Sequence, residues 1–171
     1  MATPLLVNIV ELLRRPGTIK DIEVLIAVAD FDFADERIID VAVPVTVHLE
    51  SLANGVAVSG NAQAQWHGTC RRCLKSIDTT LTVEFSEMYQ LVLEDPDAFA
   101  IEQDQVSLLP MVRENILLAL PLAPTCRDDC PGLCSQCGAD LSEASCSCTT
   151  DVTDPRWAVL DTLRENLTKD S

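Results

Sequence analysis

Aromatic residues are scarce in this chain of 171 residues: Phe, Trp and Tyr together make up 4%. That leaves too few flat rings for a platform that stacks unpaired bases. Positive charge is scarce as well. Twelve Lys and Arg stand against 27 Asp and Glu, for a formal net charge of −15. A surface with that balance repels phosphate backbones, so unselective binding to bare nucleic acid is disfavoured and a basic protein is the better-matched partner. No apolar run approaches the ~18 residues of a membrane span. The longest candidate, residues 116–123, is short and contains Pro121. Residues 1–16 lack the order of a secretion signal, because Glu11 interrupts the apolar stretch and Arg14 and Arg15 follow it. A cytoplasmic protein without membrane attachment is expected. Catalytic signatures are also missing. There is no phosphate loop, nucleophile elbow or paired-carboxylate motif, and neither His48 nor His67 has a catalytic partner in sequence. The protein is expected not to be an enzyme.

What is present is a foldable chain, 47% hydrophobic, whose pattern changes along its length. Leu5, Val7 and Ile9 alternate, and Arg14-Arg15-Pro16-Gly17 reads as a turn. Ile22, Val24 and Ile26 predict a strand. Residues 30–36 read as a solvated acidic connection. From Ile38 to Phe85 the period is two. Val41, Val43, Val45, Val47 and Leu49 share a face, with Pro44 implying an edge strand or a bend. Asn54-Gly55 signals a hairpin, and Gly60-Asn61 a bulge or second turn. Ile77, Thr79, Leu81, Val83 and Phe85 make the clearest strand. Residues 94–104, with five acidic side chains and no basic one, read as a mobile acidic loop or docking strip. Near 107–120 the period becomes helical: Ser107 is placed to cap, Pro110 falls in the first turn, and Leu109, Val112, Ile116 and Leu120 share one face. Asp154-Pro155-Arg156-Trp157 opens a terminal helix in the same way. The expected fold is α+β. An antiparallel sheet and a core helix occupy residues 1–124, and a cysteine-rich segment with a C-terminal helix occupies 125–171.

Eight cysteines are the most informative residues. Cys70 and Cys73 form one CxxC. Cys126, Cys130, Cys134, Cys137, Cys146 and Cys148 follow as C-x3-C-x3-C-x2-C-x8-C-x-C. In a reducing compartment such spacings mean metal or redox chemistry before disulfides. A two-residue spacer lets two sulfurs reach one tetrahedral ion, and Gly138 after Cys137 suits the positive φ of such a knuckle. Eight thiolates match two structural zinc ions. Sequence proximity puts Cys134, Cys137, Cys146 and Cys148 on one ion and leaves Cys70, Cys73, Cys126 and Cys130 for the other. A crossed arrangement, Cys70 and Cys73 with Cys134 and Cys137, competes with it, and His67 is a possible substitute for one sulfur. A thiol redox or metal-transfer role is the weaker reading, since a thioredoxin-type CxxC sits between a strand and a helix and this one sits between two strands. Arg71, Arg72, Lys75 and Arg127 gather near the first pair, either offsetting thiolate charge or forming a small basic spot for RNA phosphate.

Three segments together resemble the YceD family, the large ribosomal RNA subunit accumulation proteins of bacteria and plastids. They are Cys70-Arg71-Arg72-Cys73-Leu74, Asn115-Ile116-Leu117-Leu118-Ala119-Leu120-Pro121, and Cys130-Pro131-Gly132-Leu133-Cys134-Ser135-Gln136-Cys137-Gly138; Asp154-Pro155-Arg156-Trp157 also fits. The resemblance covers the chain from about Val41 onward. It implies a factor for synthesis, processing or stability of large-subunit (23S) rRNA in ribosome assembly. The implied partner is a basic ribosomal protein of the large subunit or a pre-ribosomal particle, with direct rRNA contact left open. A zinc-stabilised interaction module or chaperone for a basic ribosomal protein is the alternative.

Overall fold

The computed structural model describes residues 5–148 and Leu160. The predicted helix from Asp154 therefore lies outside the described residues, apart from Leu160, which is helical and exposed. The chain divides into two compact units, Met1–Cys70 with Lys75–Cys126, and Arg71–Leu74 with Arg127–Ser171.

The first unit is built on a five-stranded sheet in the order β2 (Ile19–Ile26), β3 (Val43–Leu52), β4 (Gly55–Thr69), β5 (Ser76–Gln90) and β6 (Phe99–Ala100). Neighbours are antiparallel except β5 and β6, which are parallel. A two-stranded ribbon joins β1 (Leu6–Asn8) to β7 (Gln105–Ser107). Three helices complete the unit: α1 (Val10–Leu13), α2 (Val28–Phe31) and α3 (Leu109–Ala119). This is the α+β architecture expected.

Period-two patterning does what it should. Along β3, Val43, Val45, Val47 and Leu49 are buried while Pro44, Thr46 and Glu50 are exposed. Pro44 makes neither an edge nor a bend. β3 is a central strand, but its pairing with β4 begins only at Val45, so Pro44's missing N–H falls outside that ladder. A tight hairpin does form here, but its two-residue loop is Ala53-Asn54: Leu52 pairs with Gly55, which already belongs to β4, where a Cβ would collide with the Tyr89 carbonyl oxygen. Gly60-Asn61 is neither bulge nor turn. β4 runs straight through it, with Gly60 paired to Val47 on one side and Phe85 on the other. A Cβ there would collide with the Thr46 carbonyl oxygen and lie 3.0 Å from the Phe85 ring, so close approach explains the glycine.

The core lies between the sheet's inner face and the β1, α1, β7 and α3 elements. Val47, Leu49, Val56, Val58 and Phe85 meet Ile9, Val106, Leu108, Met111, Val112 and Ile116, all buried. Each such side chain contributes ~1.5–3 kcal/mol relative to staying in water. The expected α3 face holds at Val112, Ile116 and Leu120, all buried, and extends to Leu108 and Met111, while Leu109 is only partly buried. Ser107 does not cap the helix. It ends β7, and its carbonyl accepts a hydrogen bond from the buried Tyr89 hydroxyl at 3.0 Å. The helix stops where Pro121 forces Leu120 into an extended conformation, with ψ of 126°.

Two stretches expected to be solvated loops carry structure. Within residues 30–36, Phe31 is buried and stacks on Phe33, with ring centroids 4.9 Å apart. Asp35 grips the Arg37 guanidinium, which also donates to the Pro121 carbonyl at 3.0 Å. The hydrogen bonds from Arg37 hold the Asp35 carboxyl below its ordinary range. Within residues 94–104, β6 pairs with the end of β5, and Phe99 stacks on Tyr89 at 5.1 Å. The Gln90 side-chain oxygen accepts from the Glu94 and Asp95 N–H groups.

Candidate metal centres

The β4–β5 hairpin is long and regular, pairing Gly55 with Gln90 at one end and Thr69 with Ser76 at the other. Past that last pair the Cys70 N–H donates to the Lys75 carbonyl at 2.8 Å, closing the connecting loop. Cys70 is thus fixed at the sheet end by the hairpin itself, and Leu74, with φ of 60°, turns the loop back. Cys126 comes from the segment that leaves α3, which Arg37 holds at the Pro121 carbonyl.

Among its described residues the second unit buries few apolar side chains and is held by backbone turns. Arg72 organises its first part. Its guanidinium donates to the carbonyls of Asp128 (3.0 Å) and Cys130 (2.9 Å), and its own carbonyl accepts from the Leu133 N–H at 2.9 Å. Gly132, at φ +79°, passes so close to Arg72 that a Cβ would lie 2.9 Å from the Arg72 carbonyl oxygen. Arg72 thus braces a backbone turn beside the first cysteine group. Arg127 pairs with the exposed Asp129 at 3.1 Å. An Arg72→Met variant should lose zinc to a chromophoric chelator roughly tenfold faster, because groups that orient metal ligands typically change affinity by that much. Unchanged zinc loss together with weaker rRNA binding would return Arg72 to the phosphate-contact role.

The second knuckle follows. The Cys134 N–H donates to the Ala139 carbonyl at 2.8 Å, and the Gly138 N–H to the Cys134 carbonyl at 2.9 Å, with Gly138 at φ +72°. Asp140 then turns the chain by accepting from the Ser142 N–H and hydroxyl. Backbone N–H groups of Cys137 and Gln136 point at the Cys134 sulfur and hold its thiol down to about 6. Cys148 is pushed up to about 12, chiefly by side-chain hydrogen bonding with Cys137, with burial and the thiolate charge of Cys134 adding to it. One thiolate thus forms more readily, while Cys146 and Cys148 hold their protons more tightly beside it.

All eight cysteines fall into two groups. The sulfurs of Cys70, Cys73, Cys126 and Cys130 lie within 4.8 Å of one another, as do those of Cys134, Cys137, Cys146 and Cys148. Sulfurs bound at ~2.3 Å around a tetrahedral zinc ion stand about 3.8 Å apart, so both groups fit such an ion with minor closure. Each could hold a metal. The crossed arrangement is excluded by this geometry, and His67 belongs to neither group; it lies in β4 opposite Asp78. His48 is half exposed and contacts Asp21 at 2.6 Å, as a solvated strand residue would.

The fold and these groups define a class: a β-sheet protein with two all-cysteine metal-capable clusters. The chain matches the family model "Large ribosomal RNA subunit accumulation protein YceD" over residues 58–164, more than half its length. It belongs to the YceD family. An uncharacterized protein of Mycobacterium tuberculosis is 30% identical over 187 residues, spanning 96% of this chain and 87% of that protein. One from Mycobacterium leprae is 27% identical over 169 residues, spanning 94% and 77%. "Large ribosomal RNA subunit accumulation protein YCED homolog 1, chloroplastic" of Arabidopsis thaliana is 28% identical over 74 residues, spanning 43% and 23%. No solved structure matches. Among the described residues no helix is long and apolar enough to cross a membrane.

Proposed function

We propose that this protein is a non-enzymatic, zinc-stabilised factor needed for accumulation of large-subunit (23S) rRNA, acting in ribosome assembly. Membership of the YceD family carries this reading, and the name of the Arabidopsis relative points the same way. The chemistry of the clusters supports a structural role for metal. Four thiolates on a tetrahedral ion would leave no position for a substrate, and the eight cysteines form two groups of that size. All-thiolate tetrahedral sites favour zinc. The net charge of −15 supports a second reading of the contact itself, in which the protein escorts a basic large-subunit ribosomal protein and reaches rRNA only through it.

Depletion tests the function. Loss of the protein should lower mature large-subunit rRNA relative to small-subunit rRNA, with large-subunit precursors or fragments accumulating. An unchanged ratio, under growth conditions where the protein is normally made, would remove the proposal.

A further inference from the structure

The five-stranded sheet ends in an edge that the described residues leave open over most of its length. β5 pairs with β4 along all 15 of its residues but meets β6 only at Tyr89 and Gln90. Register decides which backbone groups face outward. On the β6 side, the Gln90 carbonyl accepts from the Ile101 N–H at 2.9 Å. The β4–β5 pairing then runs without a bulge from Gln90 back to Ser76. Alternate residues of a strand point their N–H and C=O groups to opposite sides. Asp78, Thr80, Thr82, Glu84 and Ser86 therefore aim both groups away from β4, where the described residues place no strand. Their side chains are exposed, and so is that of Thr79 on the opposite face, so solvent reaches both faces of the sheet here.

Charge selects the occupant. Residues 76–112 contain eight Asp or Glu and no Lys, Arg or His. Asp78 and Glu84 lie on the open strand itself. Pairing this edge with the same edge of a second copy would bring like charges together across the ladder, which is destabilising. A cationic strand would gain the same backbone hydrogen bonds and offset the carboxylates. At the end of β5 the chain continues into Leu91, Val92 and Leu93, which are 54%, 72% and 57% exposed and offer an apolar seat beside the edge.

We propose that residues 76–88 of β5 are a docking edge that accepts an extended, Lys- or Arg-rich protein segment as an added strand. This deepens the reading of a basic ribosomal partner and rests on it.

The probe is a short peptide alternating Lys and Val, with a Glu–Val counterpart as control, added to the zinc-loaded full chain. Amide exchange resolved by residue should slow at least tenfold at Asp78, Thr80, Thr82 and Glu84 with the Lys–Val peptide and not with its counterpart. A Thr80→Pro, Thr82→Pro variant removes two outward N–H groups and leaves the β4 ladder untouched. It should weaken peptide binding roughly tenfold or more, the effect of losing two hydrogen bonds. The charge-reversed Asp78→Lys, Glu84→Lys variant keeps every backbone group and should weaken it as well. Three results would overturn the proposal: outward amides already protected in the free protein, protection confined to residues 94–104, or dimers formed through β5. The depletion experiment reads the function and this one reads the edge, so either can fail alone.

Discussion

Protein purified under reducing conditions without added metal should carry about two zinc ions per chain, and Cys134→Ser should carry one. The expectation rests on two groups of four sulfurs, each within 4.8 Å, at distances a tetrahedral ion closes with little movement. The two groups should differ in what they hold together. Residues 127–148 bury little besides Cys130, Pro131's neighbour Gly132, and Cys134, so no apolar core substitutes for metal there. Metal affinity on the order of 10 kcal/mol is then folding energy. Removing Cys134 should free the knuckle from Cys134 to Cys148 while the sheet of the first unit, with its own core, still melts cooperatively. Cys70→Ser should act differently. Cys70 is fully buried at the end of β4, and its loss should also lower the melting temperature of the sheet domain. Elemental analysis and thermal unfolding of both variants decide the matter. Intact disulfides without metal would sink the assignment of both sites, and an iron signal in place of zinc would reject the ion.

Gly60→Val should be among the most damaging single changes in the first unit, costing about 3 kcal/mol or more in chemical denaturation. The new side chain has no room: its Cβ alone collides with the Thr46 carbonyl on the neighbouring strand and presses on the Phe85 ring. The carbonyl cannot retreat without breaking the ladder that pairs β3 with β4. Gly17→Ala is the control. Gly17 has φ of +83° but nothing within 4 Å of an added Cβ, so only backbone strain is felt, about 1–2 kcal/mol. Equal losses in the two variants would show that conformation rather than crowding explains Gly60.

Much of this architecture is legible locally. Alternation along residues 43–49 and 77–85 yields strands because a half-buried sheet surface selects for it. Pro110 and Pro121 bracket α3 because proline tolerates a helix's first turn and ends what precedes it, whereas the hairpin near Asn54-Gly55 turns one residue earlier than that dipeptide implies, at Ala53-Asn54. The misreadings share a cause. Residues 30–36 and 94–104 are acidic enough to look like solvated loops, yet Phe31 and Phe99 in their midst are pulled onto partners distant in sequence. Gly60 looks like a turn because nothing in the sequence shows that Phe85 crosses over it.

That eight cysteines at knuckle spacing could hold metal is readable from the chain alone, since sulfur type and loop length are local properties. Its charge balance likewise is a property of composition, and the proposal of a basic partner starts from it. Sequence proximity already set Cys70, Cys73, Cys126 and Cys130 apart from the last four cysteines; the fold removed the crossed alternative by bringing those four sulfurs within 4.8 Å of one another. The fold also brings the Arg72 guanidinium onto the Asp128 and Cys130 carbonyls and, among the described residues, leaves one side of β5 without a partner strand over most of its length. Such facts depend on which distant segments meet, and no local pattern carries them.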